Sequence, residues 1–150
     1  MHVRIISRVV IYDPNNQKIL LAKNRGTNFW YPPGGGWEHE HETILECAHR
    51  EVAEETGIDV EIKRLLYTQE FHATQDTIFF EIFWLGIPQE GQEVKKNHID
   101  TDPNGQVEAV QWYDRQSLQN LKVFPVRLKN TFWDNITKWL LEEDPFIGIS

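Results

Sequence analysis

From Gly36 to Ile58 the chain reads G-x5-E-x7-R-E-V-x-E-E-x-G-I, which prescribes a glycine-ended loop, a helix and a second turn at Gly57. The pattern brings three carboxylates, Glu51, Glu54 and Glu55, into about one helical turn. Stability alone does not ask for this, because like charges three and four residues apart on a helix repel each other. At average residue frequencies, agreement at all nine fixed positions has a chance on the order of one in a billion per register, which points to a site rather than to coincidence.

The helix is predicted over Thr43 to Thr56. Leu45, Ala48 and Val52 form an apolar stripe at helical spacing, Gly57 supplies the stop, and the acids lie beside the stripe. Adjacent Glu54 and Glu55 point about 100° apart, so all three carboxylates can converge on one cation. The competing reading is a solvated acidic face relieved by Arg50 pairing with Glu46 or Glu54 one turn away. The preceding Trp30-Tyr31-Pro32-Pro33-Gly34-Gly35-Gly36 tips the balance toward a cation. Its prolines exclude helix, and its glycines allow a backbone carbonyl or amide to come close to the acids. A flexible linker there would need polar, low-complexity flanks, and these are aromatic and charged. Hard carboxylate oxygens suit Mg²⁺ or Mn²⁺, ions that neutralise phosphate charge and acidify a bound water.

Around this segment, residues 3–12 and 18–23 read as two strands joined by a turn at Asp13-Pro14-Asn15-Asn16. Strand-like runs follow over 58–70, 77–85 and 106–113, with a long irregular connection over 87–105. Leu128, Phe132, Ile136, Trp139 and Leu140 describe a terminal amphipathic helix of about four turns. The 150 residues, with hydrophobic types at 40%, fit one domain over 1–150. A formal charge of −8 argues against a surface that holds a nucleic-acid polymer or an anionic membrane, and leaves room for a small phosphorylated ligand carried with a cation. The N-terminal stretch is interrupted by Arg4, Ser7 and Arg8 and does not read as a secretory signal; Cys47 is the only cysteine. The expectation is a soluble, cytoplasmic protein. The oligomeric state is not written in the sequence, and a homodimer is left open.

The segment resembles the Nudix box, and the order of strands, glycine loop, box helix, further strands and terminal helix is similar to that family. The resemblance implies an α/β fold, an α/β/α sandwich with a mixed β-sheet. It also implies Mg²⁺-dependent hydrolysis of a nucleoside diphosphate linked to another group, with Mn²⁺ as a substitute and a small-molecule nucleotide as substrate. By position it makes Glu54 and Glu55 metal ligands, Glu51 a further ligand or the base that activates water, and Arg50 an orienting partner. A carbonyl in the Gly35-Gly36 stretch would join the metal shell, and Glu42 and Gly57 would hold the loop-helix-loop together. Two departures stand out: His41 sits where many members carry glycine, and Glu42 lies one residue farther from Pro33-Gly34-Gly35 than usual. A nucleotide sensor that does not cut is the alternative, although such domains usually lose box carboxylates and this chain keeps them. An isomerase on the same fold would use cysteine chemistry that the chain lacks.

Outside the box, Glu108, just before Trp112, and Glu81, in an apolar strand, are candidates for an extra ligand or base; Glu81 faces either solvent or the cleft. Gly35, Lys23, Arg25 and Glu81 are the candidate substrate contacts, the two cations because their loop should approach the glycine turn. Trp30, Tyr31 and Trp37 either stack on a base or pack. The motifs that mark ADP-ribose, diadenosine polyphosphate and coenzyme A specialists are missing. By elimination that leaves ordinary or oxidised nucleoside triphosphates.

Overall fold

A computed structural model describes residues 1–92 and 106–149; most of the long connection read from the sequence lies outside them. The strands are β1 (His2–Asp13), β2 (Lys18–Asn24), β3 (Gly34–Gly36), β4 (Val60–His72), β5 (Thr77–Pro88) and β6 (Val107–Tyr113). The helices are α1 (Ile44–Thr56), α2 (Arg115–Leu118) and α3 (Thr131–Trp139), with a 3-10 turn at Val126–Lys129 before α3. All six strands form one sheet in the order β4-β5-β1-β2-β6, with β3 attached to β1. The sheet is mixed: β1 and β5 run parallel from His2 opposite Thr77 to Ile11 opposite Gly86, and the other pairs are antiparallel.

Side chains alternate across β1, and this sorts the interior into two layers. Val9 and Ile11 pack with Leu20, Trp84, Ala48 and Val52, against α1. Val10 and Tyr12 pack with Leu21, Phe83, Leu128, Phe132 and Ile136, against the 3-10 turn and α3. Helices therefore cover both faces of the sheet, the α/β/α arrangement expected. Ser7 is fully buried and satisfied: it accepts from Trp84 Nε1 at 2.9 Å and donates to the Ile44 carbonyl at 3.2 Å, fixing the start of α1 over β1.

The second edge of β1 is forked. Ile6–Arg8 pair with Gly36–Gly34, and Ile11–Asp13 pair with Leu20–Lys18. The glycine segment read as a loop is thus a three-residue strand. Consecutive prolines deliver it extended, and the missing side chains let it lie flush on β1. The terminal helix also differs from its expected form. It breaks at Asn130, whose φ of −141° and ψ of −89° are not helical and whose side chain accepts from the Thr131 amide at 2.6 Å. Asparagine favours such a cap over a helix interior, which overrides the continuous apolar stripe. Among the described residues, no helix is long and apolar enough to cross a membrane.

Candidate active site

Helix α1 is held at both ends. Thr43 and Glu46 form a reciprocal capping box, and Gly57 closes the C-terminus with φ 73°. Cys47, Ala48 and Val52 are buried along its inner stripe. With the stripe pinned, Arg50, Glu51, Glu54 and Glu55 fall on the flank that lines a cavity of about 620 Å³, together with the three glycines of β3.

The glycines alternate like any strand. Side chains added at Gly34 or Gly36 would run into Arg8 and Arg4 of β1, whereas a Cβ on Gly35 would stand 2.5 Å from Cδ and Oε1 of Glu51. Gly35 therefore gives Glu51 its space. Arg4 and Arg8, from the other face of β1, line the same cavity. Glu55 is 8% exposed and accepts the Gly34 amide at 2.8 Å, joining α1 to β3. Burial pushes the Glu51 carboxyl above the usual carboxylate range; Arg50 beside it pulls the other way, and Glu54 adds to the rise.

Arg50 organises this group. Its Nε and Nη2 grip the two oxygens of Glu42 at 2.9 and 2.8 Å, and Nη1 reaches Glu51 at 2.9 Å and Glu54 at 3.4 Å. Nη2 also donates to the Gly36 carbonyl at 3.3 Å. Glu42 in turn accepts the Glu38 amide at 3.1 Å, and its own carbonyl accepts from Trp37 Nε1 at 2.9 Å, so the loop of unusual length is tied through its glutamate. The hydrogen-bonded guanidinium holds the Glu42 carboxyl down at about 2. The alternative partner weighed for Arg50, Glu46, is occupied at the helix cap.

Among the described residues, no three His, Cys, Asp or Glu side chains converge tightly enough to enclose a metal ion, and Arg50 bridges Glu51 and Glu54. The donors nevertheless suit a hard divalent cation. They are all oxygen, they face one cavity, and the buried charge on Glu51 carries a penalty that a cation relieves.

A second cavity of about 560 Å³ adjoins the first and shares Arg8, Asn24, Tyr31 and Phe79 with it. Its walls are aromatic, with Phe29, Phe71 and Phe124 beside the shared rings. Glu81, for which the sequence allowed either direction, turns inward here. It is 5% exposed and accepts from Arg8 Nε at 2.6 Å and from Gln69 Nε2 at 3.2 Å.

Glu51, Glu54, Glu55, Arg50, Gly35 and Gly36 are thus brought together, with Glu81 next door. Lys23 and Glu108 instead pair with each other at 3.0 Å on β2 and β6, and neither they nor Arg25 line either cavity. Of the aromatic candidates, Tyr31 lines both cavities and Trp37 the acidic one, whereas Trp30 packs edge-on against Tyr113 at 5.0 Å. The sequence reading missed Arg4, Arg8 and Phe79. The signal was present in the period of two that puts Arg4, Ile6 and Arg8 on one face of β1.

The family model described as the NUDIX domain matches residues 2–133. The chain is 30% identical over 115 residues to the NAD-capped RNA hydrolase ndx-9 of Caenorhabditis elegans, covering 76% of this chain and 29% of that protein. It is 41% identical over 64 residues to nucleoside diphosphate-linked moiety X motif 6 of Homo sapiens, covering 41% of this chain and 20% of that protein. The chain thus spans under a third of the length of these curated relatives. Among solved structures, a UDP-X diphosphatase superposes with a TM-score of 0.68 at 18% identity, covering 92% of this chain and 64% of that one. A MutT NUDIX hydrolase from Burkholderia pseudomallei gives 0.66 at 21% identity, covering 86% and 96%.

Proposed function

The chain belongs to the NUDIX family, and from that premise we propose that it is a hydrolase that cleaves a pyrophosphate linkage in a nucleoside diphosphate-linked small molecule. One observation carries the reading: three carboxylates of α1 and the glycine strand border a cavity that shares wall residues with an aromatic one. The acidic cavity suits a cation-bound diphosphate, and the aromatic cavity suits a flat base, which stacks on such rings for about 1–3 kcal/mol.

In this reading Glu54 and Glu55 hold a divalent cation, Mg²⁺ or Mn²⁺, with Glu51 as a third ligand or as the base. The cation, when bound, supplies charge neutralisation at the phosphates and a more acidic water. The remaining work belongs to the chain. Gly35 leaves the space that Glu51 occupies, the Gly34 amide orients Glu55, and Arg50 keeps Glu51 and Glu54 on the cavity side of the helix. Attack by water at one phosphorus breaks one bridging P–O bond and releases two phosphorylated products. Lys23, Arg25 and Glu108 are left outside this machinery, since they line neither cavity. The reading takes residues 1–150 as one domain of a cytoplasmic protein.

A panel of nucleoside diphosphate-linked compounds and nucleoside triphosphates, incubated with Mg²⁺, Mn²⁺ or chelator and read by product mass, tests the proposal. NAD and NAD-capped RNA belong in the panel because the ndx-9 relative is a hydrolase of such caps. Cation-dependent appearance of two phosphorylated products is expected. Saturable nucleotide binding without product would replace the hydrolase by a sensor.

A further inference from the structure

The acidic and aromatic cavities meet at one side chain that the sequence reading gave no role. Arg8 lines both, and its guanidinium lies over the Tyr31 ring, 5.0 Å from the centroid. Three contacts fix it. Nε donates to Glu81 at 2.6 Å, Nη1 donates to the Pro32 carbonyl at 3.3 Å, and the ring of Tyr31 supports the plane. Nη2 has no partner among the described residues. The side chain is 17% exposed, so a fixed cationic fork is held where the two cavities share a wall.

Glu81 is oriented as deliberately. Its second oxygen accepts from Gln69, which leaves the first for Arg8. The pair joins β1 to β5 across the parallel register, where Ile6 faces Glu81 and Arg8 faces Phe83. A buried ion pair of this kind is weak grounds for stability, since hydrophobic residues of similar volume often do as well. Its cost is understandable if it holds the guanidinium in one orientation. A planar, pre-oriented fork suits a phosphate, whose oxygens take parallel N–H donors.

The electrostatics favour such a group beside the cation. A diphosphate approaching Glu51, Glu54 and Glu55 meets three carboxylates, and any base seated in the aromatic cavity draws the linking phosphate past the shared wall. We infer that Arg8 binds a phosphate of the diphosphate where the two cavities meet, and that Glu81 is a positioning residue that aims Arg8 and does not itself ligate metal. The inference rests on the proposed diphosphate site and assigns the residue that sets where the phosphate chain lies in it.

The test is calorimetric titration of methylenediphosphonate in Mg²⁺, a probe whose P–C–P bridge the protein does not hydrolyse. Arg8→Gln keeps a donor for Glu81 and removes the charge. It is expected to weaken binding tenfold or more, with Arg8→Lys recovering part of the loss. Mn²⁺ affinity without the diphosphonate, followed by electron paramagnetic resonance, is expected to stay within twofold of the parent. Less than a threefold change in Arg8→Gln, no recovery in Arg8→Lys, a parallel loss of Mn²⁺ binding, or a parent that does not bind the probe would each overturn the inference. Failure of the hydrolase reading looks different: Arg8-dependent binding persists, and the nucleotide panel gives no product.

Discussion

Glu51 of α1 occupies the volume that a side chain at Gly35 of β3 would need, with Cδ only 2.5 Å from the position of the missing Cβ. The strand and the helix are thus coupled through an absent atom. The contact is with the carboxylate itself, so a methyl group can enter only by turning that carboxylate away.

Gly35→Ala is therefore expected to fold, because the neighbour that must yield is the end of a flexible side chain, and to lose about a hundredfold in turnover, the scale of a displacement of about 1 Å at a reacting centre. Steady-state rates beside a thermal melt check this. An Ala variant with the parent rate would mean that Glu51 need not stand where it does.

Burial raises the pKa of Glu51, and the sign of that shift predicts a stability effect. A carboxyl whose folded pKa lies above its unfolded value binds protons more readily in the folded state. Its contribution to stability falls as pH rises through that window, and at neutral pH the charge costs stability. Metal-free Glu51→Gln should melt above the parent at pH 7, by roughly 2–4 °C for each kcal/mol relieved. Mg²⁺ should raise the melting temperature of the parent more than that of the variant. A variant that melts lower and gains equally from Mg²⁺ would contradict both halves.

Glu42 has the opposite sign. Its carboxyl is held at about 2 by Arg50, against an ordinary value of 4.5. Its contribution is complete above the unfolded value and lost as pH falls toward the folded one. Urea midpoints measured from pH 6 to pH 3 should therefore drop more steeply for the parent than for Glu42→Gln. Parallel curves would show that the Arg50 fork does not hold Glu42 in solution.

The box helix was legible because local signals agree on it: an apolar stripe at Leu45, Ala48 and Val52 and a Gly57 stop; the Thr43–Glu46 capping box that holds its start came only with the structure. The long strands were legible from their Val and Ile content. What stayed hidden depends on tertiary pairing. Gly34–Gly36 carry no strand signal of their own and become a strand only because β1 offers an edge. Arg8 and Glu81 lie 73 residues apart and meet only through the parallel register of β1 and β5. Lys23 is a candidate phosphate contact from its place after a strand, and its pairing with Glu108 through the register of β2 and β6 is invisible in the local sequence. Asn130 was legible in principle, since an asparagine within an apolar stripe is a candidate break, but the periodicity around it masked the cap.

The central claim is that the carboxylates of α1 drive cleavage of a phosphoric anhydride through a bound cation. Its most direct test is the rate at which purified, folded Glu54→Gln hydrolyses a substrate that the parent turns over in Mg²⁺. The account predicts loss of most of the turnover, about a hundredfold or more, with the melting profile preserved. Hydrolysis at the parent rate would contradict it.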